Sequence, residues 1–191
     1  MQRKGTKKMK AFKTIGAAAL AGAMMLSMAG CSSVKIEKKS MKDFESAVED
    51  NTEIDLNEYS YDNCENLYFY NDWYYIDYFE FNDADEAEDA YDDAFDSFSS
   101  NKDHNDYSGS SRNLSTNDYK YFLFNGEIDG SGFFAPLSDE YESIAGSIDG
   151  DVYGGVYWVE DTVIVVMVRS HESDDKGYIN AILSDLGYPH P

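Results

Sequence analysis

Cysteine, histidine and clustered carboxylates are the side chains that could carry covalent, acid–base or metal chemistry in this 191-residue chain, and the first two are scarce: Cys31 and Cys64, with His104, His171 and His190. No two histidines have a spacing such as HExxH, which sets two imidazoles on one helical face. They read as three exposed side chains. Cys64, in DNCEN, has no adjacent His or Lys to lower its pKa and reads as an inert thiol. The 37 acidic residues are too many for any pair to stand out as a glycosidase-type acid and base. There is no GxSxG elbow, phosphate loop or dinucleotide fingerprint. One stretch, DGDVYGGVYWVE, puts Asp149, Asp151, Gly154 and Glu160 at the first, third, sixth and twelfth places of a calcium-loop pattern. Tyr153 occupies the fifth place, where a ligand oxygen belongs, and the flanks read as strands. The expected structure is an acidic turn leading into a strand, with Asp149, Asp151 and Glu160 as cation candidates by pattern alone. No cofactor is implied.

Cys31 stands in a different setting. Arg3, Lys4, Lys7, Lys8, Lys10 and Lys13 precede an apolar run from Ile15 to Ala29, the layout of a secretory signal peptide. The run is rich in Ala and Gly and shorter than the ~20 predominantly apolar residues of a spanning helix. Ala29 and Gly30 suit a signal peptidase, and Cys31 follows them directly. Met28-Ala29-Gly30-Cys31 resembles the lipobox of bacterial lipoproteins, with Met where Leu is usual. That resemblance implies removal of residues 1–30, a diacylglycerol on Cys31, and an extracytoplasmic protein held at the cell membrane by its lipid. The alternative is an ordinary secretory peptide cut near Ala29, leaving Cys31 free.

Charge divides the remainder. Residues 31–191 hold nine basic and 37 acidic side chains, a formal charge of −28. Lys35, Lys38, Lys39 and Lys42 follow Cys31 closely, and from Asp43 onward five basic residues face 36 acids. Basic residues beside an anionic leaflet gain ~1 kcal/mol each, while an anionic body is repelled from it. Residues 31–40 therefore read as a basic tether, and 41–188 as one acidic domain. Nucleic acid is excluded as a partner, because phosphate binding needs clustered Lys and Arg. Cation binding and attraction to basic partners stay open. Sixteen Tyr, 11 Phe and two Trp set the chain apart from disordered sequences, which are poor in aromatics.

Hydrophobic spacing supplies the elements. SMKDFESAVED predicts a helix with Ser40 as N-cap. NLYFYNDWYYIDYFEF predicts a hairpin from about Asn66 to Phe81 turning at Asn71-Asp72, with rings on both faces of its second strand. One of those faces must be core; the other is either covered or open to a carbohydrate, peptide or protein ligand. NDADEAEDAYDDAFDSF predicts an amphipathic helix, Asp83 and Glu86 resembling a capping box. Ser99–Asn117 reads as an exposed loop. Strand character returns from Asp118, with Asn125-Gly126 as a hairpin-turn signal, and DEYESIAGSI suggests a helical turn. Two strands flank Glu160-Asp161, the second apolar enough to be buried on both faces, and a last helix ends at Gly187.

The fold class is thus α+β: an antiparallel sheet of β-hairpins with amphipathic helices on one face. LYFYNDWYYIDYF and VYWVEDTVIVVMV, each followed by a helix, admit a duplicated ββα unit. The same order of elements, from lipobox to the terminal LSDLGY, resembles small lipoproteins of Gram-positive bacteria, a group with no agreed activity. The function expected is a membrane-anchored, non-catalytic binding module. The alternatives are a hydrolase of envelope material and a calcium-binding surface protein.

Overall fold

The computed structural model describes residues 35–71, 73–104, 106–129 and 150–191, with the side chain of residue 101 left aside. Cys31, the peptide before it, Asp149 and the helical turn expected at 139–148 lie outside the described residues.

Ser40 caps the first helix, α1 (Met41–Asn51), in a reciprocal capping box with Asp43, and the helix buries Phe44, Ala47 and Val48. Strands β1 (Asn57–Ser60), β2 (Cys64–Tyr70) and β3 (Tyr74–Phe81) then form a meander, and α2 (Ala84–Asp103) starts from Asp83, whose carboxylate accepts the Asp85 N–H. Glu86 does not close the expected box; it accepts instead from Asn63 Nδ2 at 3.2 Å. Two hairpins follow, β4 (Tyr107–Ser115) with β5 (Tyr119–Ile128) and β6 (Gly150–Val159) with β7 (Thr162–Val168). The last helix, α3 (Ser173–Leu186), stops at Gly187, whose φ of 72° is the left-handed cap that glycine adopts without strain.

All the strands join one antiparallel sheet of order β1-β2-β3-β7-β6-β5-β4. An α+β fold built of hairpins is therefore what the chain forms. Every residue of β7 is buried, so side chains of both parities need cover. Ile164, Val166 and Val168 pack with α1 and α3, whereas Val163, Val165 and Met167 pack with Ala87, Ala90, Tyr91, Ala94 and Phe98 of α2. Helices on both faces replace the expected single-sided arrangement. The reason lies in β7 itself, whose unbroken apolar run leaves neither face fit for water.

This placement also rules out the duplicated unit. In β2-β3-α2 and β6-β7-α3 the second strands are antiparallel neighbours, yet their helices lie on opposite faces. Viewed from its own helix with its second strand pointing up, each unit has its first strand on the opposite side. The two are of opposite hand, and no rotation superposes them.

Two other expectations change. Ser99–Asn117 is not a loop: α2 runs on to Asp103, and among the described residues β4 is an edge strand paired with β5 alone, with Ser108, Ser110 and Ser115 exposed. Asn125-Gly126 lies inside β5, and the turn is made at Thr116, whose Oγ1 accepts the Tyr119 N–H at 3.0 Å. Gly126 sits opposite Gly109, where a Cβ would come within 2.2 Å of the Ser108 carbonyl oxygen, so this glycine serves strand approach rather than turning. The segment read as a tether is partly seated in the fold. Ile36 is 1% exposed, Lys38 bridges Glu80 (2.7 Å) and Asp161 (2.6 Å), and the Lys39 carbonyl accepts from the Tyr78 hydroxyl.

Gly154 shows how tightly the middle of the sheet is drawn. A Cβ there would lie 2.4 Å from both Met167 Cβ and the Val166 carbonyl oxygen. Backbone cannot yield as a flexible side chain can, so Gly154→Ala is expected to lower stability by ~3 kcal/mol, read as the urea midpoint at unchanged m-value.

Candidate functional site

Helices cover the centre of the sheet and leave one flank bare. The helix α2 lies over β3, β7, β6 and β4, and strand pairing sets Tyr59 and Asn57 of β1, Asn66, Tyr68 and Tyr70 of β2, and Tyr75 and Asp77 of β3 on that same side. The α2 side covers the Cys64 and Asn66 end of β2, whereas β1 is exposed along its length. Tyr59 is 53% exposed, and Tyr68, Tyr70 and Tyr75 are half-buried. Their rings contact in two groups: Tyr59 meets Tyr61 at 4.6 Å between centroids, while Tyr68 stacks on Tyr70 at 5.0 Å and Tyr70 meets Tyr75 at 6.2 Å. Trp73, 58% exposed, stands at the tip of the same hairpin.

Beneath these rings lies Asp77, fully buried in the middle of β3. The Tyr70 hydroxyl donates to its Oδ1, and Asn66 Nδ2 approaches the same oxygen at 3.4 Å while also donating to the Tyr78 carbonyl at 3.2 Å. Oδ2 has no partner. Burial, which disfavours the charged carboxylate, raises the Asp77 pKa to about 7 against the opposing pull of the Tyr70 and Asn66 hydrogen bonds. A phenol and an amide are its neighbours, groups that bind and orient rather than attack. The arrangement can stack on a flat or cationic group and accept a hydrogen bond from it.

One flank of α2 borders this surface. Glu86, held by Asn63, Asp89 and Asp93 follow at intervals of three and four residues and so share a stripe. The opposite flank is engaged with β5: Lys120, 9% exposed, reaches Asp92 at 2.7 Å and Glu88 at 2.8 Å and lies over the Trp158 ring at 5.5 Å. Burial opposes its charge, but the hydrogen bonds it donates to those two carboxylates outweigh it and hold the ammonium above its ordinary pKa.

The residues singled out from the sequence are dispersed. Asp151 and Glu160 fall at opposite ends of β6, nine residues apart, or ~30 Å along an extended strand, and Asp149 lies outside the described residues. Asp151 is bonded by His171, and no group of three or more His, Cys, Asp or Glu among the described residues converges as a metal set. Cys64 is buried against Phe81, and burial, reinforced by Glu65 and Glu86, pushes its thiol up to about 12. His104 caps the end of α2. His190 lies 3.0 Å from Ser184 Oγ, but that hydroxyl donates at 2.7 Å to the Asn180 carbonyl, so the pair is a structural clasp rather than an activated nucleophile. A groove of about 780 Å³ runs between residues 35–38, the start of α2 and the β6–β7 turn, lined by Lys35 and Lys38 together with Glu37, Asp85, Glu88 and Glu160. Its mixed charges favour neither sign of ligand.

Asp77 is the residue that sequence reading passed over. YYIDYFEF carries an acid at a core-facing place of an otherwise apolar alternation, and that break in period was the available signal. Neither a protein-family model, a curated protein nor a solved structure matches this chain.

Because the folded chain holds the Asp77 proton more tightly than the unfolded chain, with its ordinary value of 3.8, stability contributed here is full below about pH 4 and lost as pH rises through about 7. Asp77→Asn mimics the protonated form. It is expected to match wild type in melts at pH 4 and to exceed it by up to ~4 kcal/mol at pH 8, the equivalent of the shift at 1.36 kcal/mol per unit. Equal stability of the two proteins at pH 8 would refute the assignment.

Proposed function

We propose that residues 31–191 form an extracytoplasmic binding module, anchored to the cell membrane through a lipid on Cys31, whose ligand surface is the tyrosine face of β1, β2 and β3. The observation that carries the binding reading is the set of Tyr59, Tyr68, Tyr70 and Tyr75 over a buried carboxyl with an unpartnered oxygen. Scattered exposed rings are ordinary on a protein surface, but rings gathered on one face mark a place of association. The Asp77 carboxyl also costs stability at neutral pH, a cost that core packing alone does not require. The anchoring reading rests on the lipobox-like Met28-Ala29-Gly30-Cys31 and on the lysines after it. No helix among the described residues is long and apolar enough to cross a membrane.

A hydrolase of envelope material is the less supported reading. Cys64 is buried and protonated, and the three histidines lie at separate edges of the fold.

Two experiments test the proposal separately. Growth with a radiolabelled fatty acid should label the wild-type chain and leave Cys31→Ala unlabelled and shed into the medium; an unlabelled wild type would remove the anchor. Capture from solubilised envelopes on immobilised residues 36–191 should yield a ligand that is lost with Tyr68→Ser/Tyr70→Ser while the fold, followed by circular dichroism, persists. Retention of every captured species by that variant would remove the tyrosine face as the binding surface.

A further inference from the structure

We infer that the occupant of this surface is an extended basic peptide segment of a partner protein, which adds as a strand to the free edge of β1 and lays lysine or arginine side chains across the rings of Tyr59 and Tyr68. The inference rests on the binding role proposed above and names the chemistry of its ligand. Three observations converge on it.

First, among the described residues β1 pairs only with β2 and ends the sheet, so one side of its backbone offers hydrogen-bonding groups to an incoming strand. Its four residues are all exposed, and neither a proline, a lysine nor a bulge guards the edge. Second, the stretch from Asp43 to Asn101, which contains β1, β2, β3 and nearly all of α2, carries 20 acidic residues and no Lys or Arg. This stretch supplies no cation of its own to compete with one arriving there, and the Glu86, Asp89 and Asp93 stripe of α2 attracts it from the side. Third, ring faces carry negative quadrupole charge and bind ammonium and guanidinium groups, a preference that a neutral or anionic ligand would not use. The acidic stripe alone would draw any polycation; the rings and the free edge select one that is extended.

The probe is an eight-residue peptide of alternating lysine and threonine, titrated at about 0.15 M salt, where attraction between exposed charges beyond about 8 Å is screened. Alongside it run the glutamate–threonine counterpart and a tetramer of N-acetylglucosamine. The lysine peptide is expected to bind and to slow amide hydrogen exchange at Asn57–Ser60. Tyr59→Ala/Tyr68→Ala leaves the net charge unchanged and should weaken that binding about ten-fold, the loss of two cation–ring contacts. Tyr59→Ala alone, at an exposed edge position, serves if the double variant does not fold. Equal affinity of wild type and variant, or unaltered exchange in β1, would reduce the association to unspecific attraction and overturn the inference. Tyrosine-dependent binding of the sugar in place of the lysine peptide would overturn it as well, while leaving the binding role of the face intact.

Discussion

A strand that is apolar on both faces is the constraint from which the rest of this molecule follows. All seven residues of β7 are buried, and its neighbours β3 and β6 supply Ile76, Tyr78 and Phe79 on one side and Val156 and Tyr157 on the other. Each face of that centre must be shielded from water, so α1 and α3 are committed to one face and α2 to the other. Three helices suffice for the middle of a seven-stranded sheet and not for its margins. The margins diverge accordingly. On the β4 side the outer strand is serine-rich and tolerates solvent, whereas the β1–β2 side has tyrosines, which can face water and still offer apolar area.

Net charge imposes a second constraint, and the fold meets it sparingly. A strongly anionic domain is destabilised by self-repulsion when compact. Two of the few lysines each sit between two carboxylates: Lys38 between Glu80 and Asp161, Lys120 between Glu88 and Asp92. The first fastens the chain start to the end of β3, and the second fastens α2 to β5 under partial cover from Tyr91 and Trp158. Cations are thus spent where acidic elements must converge on the core. The segment from Asp43 to Phe81 itself supplies acids and no lysine or arginine.

Much of the architecture was legible in the residues. The capping Ser40, the aromatic hairpin, the doubly apolar β7 and the Gly187 stop each state their structure locally, because spacing, cap chemistry and φ preference agree there. What escaped reading depends on partners remote in sequence. YSGSSRNLS has no strand period of its own and is extended only because β5 supplies hydrogen bonds along its length. Asn125-Gly126 carries a turn signature that the approach of Gly109 overrides. The side on which each helix lands could not be read either, since a residue alternation marks two faces without saying which element comes to which. The tyrosine face was half visible: rings on both sides of β3 were plain, but that α2 would cover the centre of the sheet and leave Tyr59 exposed is a property of the assembled layers. Asp77 alone was marked, by breaking the pattern around it.

The seating of residues 36–40 bears on mechanics. Ile36, the Lys38 bridges and the Tyr78–Lys39 bond join the incoming chain to β3, an interior strand, and the Tyr188 hydroxyl donating to the Glu37 carbonyl ties the far terminus into the same knot. Tension applied to the leading end therefore enters beside the centre of the sheet and is shared between two chain ends. It does not peel an outer strand. The flank that carries β1 lies off that load path, so pulling on the protein would leave its exposed rings and open edge undisturbed.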